Sequence, residues 1–427
     1  MQLVAYGAQD VYLTTNPKVT FFQAVYKKYT NFAMEMIEQT VNGAANNSGR
    51  LSVTVARNGD LVGDMFMELE VKSTLTDLDA LAWVAERAVS SVELTIGGQR
   101  MDKHYQKWWR LYSELYLDEA KKAQWGKMTS TANATATQAR KVFLPLVFFF
   151  NRNPGLYLPL IALQYHEVRL DFDLAGNYES FFTGVPKIWA QYVYLDTEER
   201  RRFAQKGHEY LIEQVQHTGV DTVDADAALD KTKQLRLSYN HPVKELVWCF
   251  TDGTSDNTMW NFCGPNASNV VCTTGSNVAL MRPELVGAPH LDIDSTDATK
   301  RAWVEEGDFA DLAGVGPLVG PLRSFKVMLN GQDRFKAQSG KYFNQVQTAM
   351  HHSGCPYPGV YCYSFALKPE EHQPTGTCNF SRIDNAQVEV VTKKAVGTSS
   401  TCNMHMFAVN YNVLRIQSGM GGLAFSN

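Results

Sequence analysis

The sequence predicts an all-β protein made of two tandem sandwich or barrel domains. Three observations carry this. Polar–apolar alternation with a period of two recurs along the 427 residues, and turn residues separate the alternating runs. One strand–turn–helix pattern also occurs twice, about half a chain apart. Residues i and i+2 of a strand share one face, so each alternating run has a wet side and a dry side.

The first clear strand runs from Phe32 to Val41. Leu51, Val53 and Val55 then alternate with Ser52 and Thr54, and Asn58-Gly59-Asp60 follows as a turn. Val92, Leu94 and Ile96 alternate with Glu93 and Thr95 and end on Gly97-Gly98. Next, Tyr105, Trp108, Trp109, Tyr112, Leu115 and Tyr116 recur at helical spacing, with Asp102 as the expected N-cap. This helix is expected as a lid on one end of a sandwich. The most apolar runs, Val142–Phe150 and Leu156–Leu163, are split by Asn151-Arg152-Asn153-Pro154-Gly155. A membrane span needs about 20 apolar residues, so these are read as buried strands or loops. Val168, Leu170, Phe172 and Leu174 against Glu167, Arg169, Asp171 and Asp173 form the clearest strand.

The join between domains is expected between Asp196 and Lys231, where the charge run Glu198–Arg202 reads as solvated inter-domain surface and Thr218–Ala228 is small and acidic. The expected division is an N-terminal arm over 1–26, a first domain over 27–204 and a second over 205–427. Strands recur at Leu235–Tyr239, Phe325–Leu329, Ala386–Val390 and Phe407–Val413. Thr251–Leu322, rich in Gly, Asn, Ser and Asp, reads as strands carrying long exposed loops. The repeat pairs Ser91–Gln99 with Phe325–Gln332, and an aromatic pair follows each: Trp108-Trp109 and Tyr342-Phe343.

Composition narrows the function. Apolar residues make up 44% and charged residues 20%, a soluble, globular balance. A net charge of -4 argues against a chain whose main task is coating nucleic acid, and no basic arm is present. Met1–Leu13 has no basic segment followed by an apolar one, so no secretory signal is expected. All seven cysteines lie between Cys249 and Cys402, an odd, one-sided set expected as free thiols in a reducing compartment.

Motifs for chemistry fail on inspection. Gly419-Met420-Gly421-Gly422-Leu423-Ala424 is a loose dinucleotide fingerprint without a following helix. His166-Glu167 and His208-Glu209 each lack the second His of a zinc protease. Asp292, Asp294 and Asp297 lack the Gly and Glu of a calcium loop. His351, His352 and Cys355 lack a partner pair for a metal. No catalytic residue, cofactor or metal is therefore expected, and the chain reads as a non-enzyme. Of four Asn-x-Ser/Thr triplets, Asn133 and Asn266 stand in loops and are the candidate glycosylation sites; Asn46 and Asn379 are set aside.

Three stretches resemble a known family. They are Gln2-Leu3-Val4-Ala5-Tyr6-Gly7-Ala8-Gln9-Asp10-Val11-Tyr12-Leu13, Pro159-Leu160-Ile161-Ala162-Leu163-Gln164-Tyr165-His166-Glu167-Val168, and Tyr363-Ser364-Phe365-Ala366-Leu367-Lys368-Pro369-Glu370-Glu371-His372-Gln373-Pro374 running on to Ala386. With Tyr411–Ile416 and Ser418–Gly422 they make the chain similar to the major capsid proteins of nucleocytoplasmic large DNA viruses, of the algal-virus type. The departures fall in Ser73–Val89 and Thr251–Leu322.

The resemblance implies two tandem eight-stranded antiparallel jelly rolls and a homotrimeric, pseudo-hexagonal capsomer tiling an icosahedral shell. It implies neighbouring capsomers and minor capsid proteins as partners, an internal membrane beneath, glycans on outer loops, no direct nucleic-acid contact, and assembly in the host cytoplasm. A minor capsid paralogue or assembly scaffold of the same fold is the alternative, and a jelly-roll glycan-binding lectin a further one. The N-terminal arm, with Tyr6, Tyr12, Phe21 and Phe22, holds too many apolar groups for a free tail and is expected to run beneath the capsomer. Arg382 and Asp384 are expected on one strand face, as an ion pair beside a subunit contact or a plain structural pair.

Overall fold

The computed structural model describes residues 7–9, 30–75, 81–131, 140–224, 231–251, 262, 322–354, 356, 359–392 and 401–425. Within them the first half forms eight barrel strands: β1 (Phe32–Gln39), β2 (Arg50–Thr54), β3 (Leu61–Val71), β4 (Val89–Ile96), β5 (Gln99–Tyr105), β6 (Arg140–Pro145), β7 (Val168–Leu174) and β8 (Phe182–Leu195). The second half repeats the set: β9 (His208–Asp224), β10 (Lys231–Leu237), β11 (Pro242–Thr251), β12 (Leu322–Leu329), β13 (Gln332–Asp333), β14 (Val360–Ser364), β15 (Ala386–Thr392) and β16 (Thr401–Gln417). Short extra strands flank several of these.

Sheet order identifies the fold. The first half pairs β1-β8-β3-β6 in one sheet and β2-β7-β4-β5 in the other. The second half pairs β9-β16-β11-β14 and β10-β15-β12-β13. Each strand of the second half thus takes the place of the strand eight earlier. All these pairs are antiparallel, and apart from the β4–β5 and β12–β13 hairpins sequence neighbours are split between the two sheets as in a jelly roll. The chain is a double jelly roll.

The repeat seen in the sequence is the β4–β5 and β12–β13 hairpin. Both close on a two-residue turn with positive φ at each position, Gly97 (58°) and Gly98 (80°) in one, Asn330 (52°) and Gly331 (77°) in the other. That backbone matches the twist of antiparallel strands and excludes β-branched residues, hence Gly and Asn there.

Helices α1 (Gln106–Leu115), α2 (Glu119–Thr129), α3 (Thr197–Gln205) and α4 (Gln347–His351) lie between the strands. Helix α1 is found where its apolar spacing put it, but its N-cap is Tyr105. Asp102 instead lies in β5, buried, and its carboxylate accepts from Val215 N at 3.0 Å and meets His104 Nε2 at 2.9 Å. An acid before a helix is a cap only when the intervening residues leave the strand, and here β5 runs on to Tyr105. The join also differs in part. The charge run Glu198–Arg202 forms α3, which buries no residue, is capped by Asp196 and is tied back by Arg200 to Asp60 at 3.0 Å. The stretch from Thr218 to Asp224 is not linker but the end of β9, paired with Thr401–His405.

Each barrel has its own dry interior. Met65, Met67 and Leu69 of β3 are buried with Val92, Leu94 and Ile96 of β4 in the first. Trp248 of β11 stacks on Phe325 of β12 at 4.3 Å between ring centroids in the second. The apolar cluster of the first barrel does not stop at its own sheets. It continues into Val247, Cys249, Val360, Cys362, Phe407 and Val409 of the second.

Candidate assembly surfaces and the junction between the barrels

Strand β11 shows how the junction arises. Val243, Leu246, Trp248 and Phe250 turn into the second barrel, whereas Val247 and Cys249 join the cluster of the first. Period-two alternation therefore runs apolar on both faces, which marks a strand covered on both sides. The cover is helix α1 with β5. Trp108 is 1% exposed, and its ring lies 5.6 Å from that of Phe407. Tyr105 meets His217 at 4.8 Å. Trp109, fully buried, turns the other way, and its Nε1–H donates to Pro145 O at 3.0 Å. The helix is thus a wedge between two barrels and not a lid on one end.

Charge is buried in the same junction. Lys244 Nζ lies 2.6 Å from Glu213 Oε1 and donates to Pro369 O at 2.7 Å, and Arg152 reaches Glu213 Oε2 at 3.2 Å. Burial alone would push the Glu213 carboxyl up, but Arg152 and Lys244 outweigh it and hold the group below its ordinary value. Beside them His352 Nε2 meets Glu245 Oε1 at 2.5 Å, while the Tyr116 hydroxyl donates to Glu245 Oε2 at 2.6 Å. Burial disfavours the His352 imidazolium, yet Glu245 carries it well above its ordinary value. Glu245 is correspondingly lowered, burial being outweighed by His352 and Tyr116. These pairs join Arg152 and Tyr116 of the first half to β9 and β11 of the second. Removing one partner would strand a buried charge, so they fix how the barrels meet more than they add net stability.

Glu245, His352 and Cys362 bring three ligating atoms within 4.8 Å of one another. Glu245 and His352 are turned on each other, and burial pushes the Cys362 thiol up to about 11. The arrangement is an ion pair with a protonated thiol beside it. Cys249, Cys362 and Cys378 are free. Cys355 lies outside the described residues, and His351 turns its Nδ1 to Leu367 O at 3.0 Å.

The glycine-rich stretch near the end is a hairpin strand, Met420–Leu423, paired with Leu414–Gln417. It docks on the first barrel, where His166 Nδ1 lies 2.9 Å from Gly421 O and Tyr165 N donates to Gly419 O at 3.0 Å. A Cβ on Gly421 would stand 2.7 Å from Leu163 Cδ2, so any larger residue there would have to displace that buried leucine tip. This explains the pattern that resembles a nucleotide fingerprint.

Of the expected site residues, Tyr6, Tyr12, Phe21, Phe22, Asn133 and Asn266 lie outside the described residues, as do Asp292, Asp294 and Asp297. Arg382 and Asp384 are exposed, but not on a strand. Arg382 ends a short 3-10 turn, Phe380–Arg382, closed by Ile383 N donating to Phe380 O at 3.1 Å, and Asp384 follows it. Asn379 caps that turn, which breaks the alternation on which the shared face relied. Asn379 and Ser381 line a cavity of about 400 Å3 with Tyr411 and Phe425. Sequence reasoning missed Glu213, Lys244, Glu245 and Arg152; the signal was Lys244-Glu245 within an otherwise apolar strand.

Comparison with known proteins agrees with this architecture. A family model described as "Large eukaryotic DNA virus major capsid protein" matches residues 199–422, and one described as "Major capsid protein N-terminus" matches 20–196. The chain is 42% identical to the major capsid protein of Paramecium bursaria Chlorella virus 1, over 100% of this chain and 99% of that one. It is 37% identical to the major capsid protein of Phaeocystis pouchetii virus, with the same coverage. The quasi-atomic model of the PBCV-1 virus capsid superposes with a TM-score of 0.76 at 37% identity, covering 96% of this chain and 100% of that chain.

Proposed function

Because the chain belongs to the major capsid protein family of large eukaryotic DNA viruses and forms the capsid shell, we propose that three copies make one pseudo-hexagonal capsomer of that shell. The observation that carries this is the strand order, β1-β8-β3-β6 repeated as β9-β16-β11-β14. Three chains with two like barrels each supply six similar walls around one axis, and closed cyclic symmetry leaves no growing edge. The arm over 1–26 then runs beneath the barrels at 27–204 and 205–427, toward neighbouring capsomers, minor capsid proteins and an internal membrane around the double-stranded DNA. Outer loops bearing Asn133 and Asn266 face away and can carry glycans. Exposed Arg382 and Asp384 lie at a contact between subunits. The protein works by packing and not by catalysis, and assembly takes place in the host cytoplasm, which suits the free thiols Cys249, Cys362 and Cys378.

Sedimentation of the purified protein tests the stoichiometry. The expected mass is three times 47.9 kDa, about 144 kDa. A stable monomer at micromolar concentration overturns the capsomer.

A further inference from the structure

Helix α1 meets the second barrel at both of its ends. At Tyr116 it reaches the Glu245–His352 ion pair. At Tyr105 it meets two histidines instead. His217 on β9 and His405 on β16 are part-buried, and their rings lie 6.0 Å apart with 18° between their planes. His217 also stacks on Phe407 at 4.4 Å and meets Tyr105 at 4.8 Å. Phe407 is the ring that bears Trp108 at 5.6 Å. The imidazole pair and the wedge thus press on the same side chain.

Little around the pair welcomes added positive charge. His217 Nδ1 lies 2.8 Å from Met406 O, a bond that needs an N–H, so a second proton would have to go to Nε2. His405 Nε2 is tied to Thr251 Oγ1 at 3.1 Å. Among the described residues, α1 turns Lys107 toward His405, and β5 brings Tyr105, with Lys103 Nζ 5.6 Å from its ring centroid. Behind Tyr105, Glu93 and Asp102 are turned to Lys103 and His104. Strand β11 sets Cys249 opposite His405, and burial keeps that thiol protonated by pushing it up to about 12. The carboxylate facing the pair is Asp221 on β9. Burial holds His405 down to about 3, with Lys107 and His217 adding to the effect. Burial likewise lowers His217, against Met406 O and Asp221. Both rings are therefore neutral at pH 7.

We propose that the stacked His217–His405 pair is an acid-sensitive latch on the junction: protonation sets two like charges beside Lys107 and releases the β5–α1 wedge from the second barrel. An imidazole lowered in the closed junction regains its ordinary value of 6.5 once exposed. Closure is then at full strength above pH 6.5 and is lost as pH falls toward the lowered values. Below about pH 6 each ring makes opening about tenfold easier per pH unit. The other end of α1 stays shut in this range. Glu213 and Glu245 sit below 4.5 and His352 above 6.5, so those pairs remain charged between the two values. The junction therefore opens from the Tyr105 end and hinges at Tyr116. The latch belongs to the single chain; that acid loosens each tile of a shell rests on the capsomer proposed above.

Amide hydrogen exchange of the full chain at about pH 7.5 and about pH 5 tests the latch, each rate being divided by the intrinsic rate at its pH. Wild type is compared with a chain carrying His217→Asn and His405→Gln, whose amides keep a polar atom at the Nδ1 and Nε2 positions but do not titrate. In wild type, Gln106–Leu115 should open about tenfold more or beyond at the acid pH, relative to Val168–Leu174 inside the first barrel. The double variant should show no such rise. An unchanged α1 in wild type, or a rise that survives in the double variant, overturns the latch. Exchange of the histidine C2 proton, read by mass spectrometry on wild type, needs no variant to fold. His217 and His405 should titrate below 6.5, and a value at or above 6.5 for both overturns the inference. These outcomes hold for any number of assembled copies, so they stand or fall separately from the capsomer.

Discussion

Replacing Trp109 by alanine tests how firmly helix α1 is anchored in the first barrel. The side chain is fully buried, and its Nε1–H holds Pro145 O of β6 at 3.0 Å. Truncating a buried large aromatic costs about 3–5 kcal/mol, because the helix and sheet around it collapse only in part. The Pro145 carbonyl also loses its donor, which places the expected loss at the upper end of that range. For a domain of this size each kcal/mol moves the midpoint by about 2–4 °C, so the melting temperature should fall by roughly 6–20 °C. Calorimetry of wild type and variant at one matched protein concentration keeps the mass-action contribution of association comparable between them. Trp109→Phe separates the contributions: it keeps most of the packing, loses the hydrogen bond and should cost about 1–2 kcal/mol. A change within about 0.5 kcal/mol for the alanine variant, the range of an ordinary surface substitution, would show that the ring does not anchor α1 in the first barrel.

Three further outcomes are expected. His352→Gln leaves Glu245 buried beside a lost cation and should cost about 3–5 kcal/mol. The pH profile has a definite sign. His352, raised above 6.5, gives its full stabilisation below pH 6.5 and loses it as pH climbs through the raised value. Glu245, held below 4.5, gives its share above pH 4.5 and loses it as pH falls through the depressed value. The gap between wild type and His352→Gln in denaturant titrations should thus be widest between pH 4.5 and 6.5, and a gap that widens toward alkaline pH contradicts the pair. Cys249 and Cys362, buried with thiols pushed up to about 12 and about 11, should resist a thiol reagent at neutral pH in the native protein. All seven cysteines should react once it is unfolded without reductant; fast native labelling at Cys249, or thiols still protected after unfolding, would refute this. Gly421→Ala drives a Cβ to 2.7 Å from Leu163 and should loosen the C-terminal hairpin, at a cost of about 1–3 kcal/mol. Amide exchange that stays unchanged from Leu163 to His166 would count against that docking.

Local pattern made much of the fold readable in advance. The alternation at Val168–Leu174 became β7, and the doubled Gly/Asn-Gly turn became the shared hairpin of the two barrels. Both signals are carried by neighbours in sequence. The junction was not readable, because its residues are brought together from far apart: Arg152 with Glu213, Tyr116 with Glu245, and Glu245 with His352. In the sequence Arg152 sits in an Asn-Pro-Gly segment that reads as a loop. Its pairing depends on how the second barrel is set against the first. Asp102 misled because an acid near a helix start usually caps it, whereas this one is the acceptor for Val215 N across the junction. Arg382 and Asp384 misled because a 3-10 turn interrupts the strand pattern. Tertiary packing overrode the local rule in both cases.

Cryo-electron microscopy of purified particles tests the central claim most directly. The account expects each hexagonal tile of the shell to resolve into three chains and six jelly rolls. Tiles built from any other number of chains would contradict it.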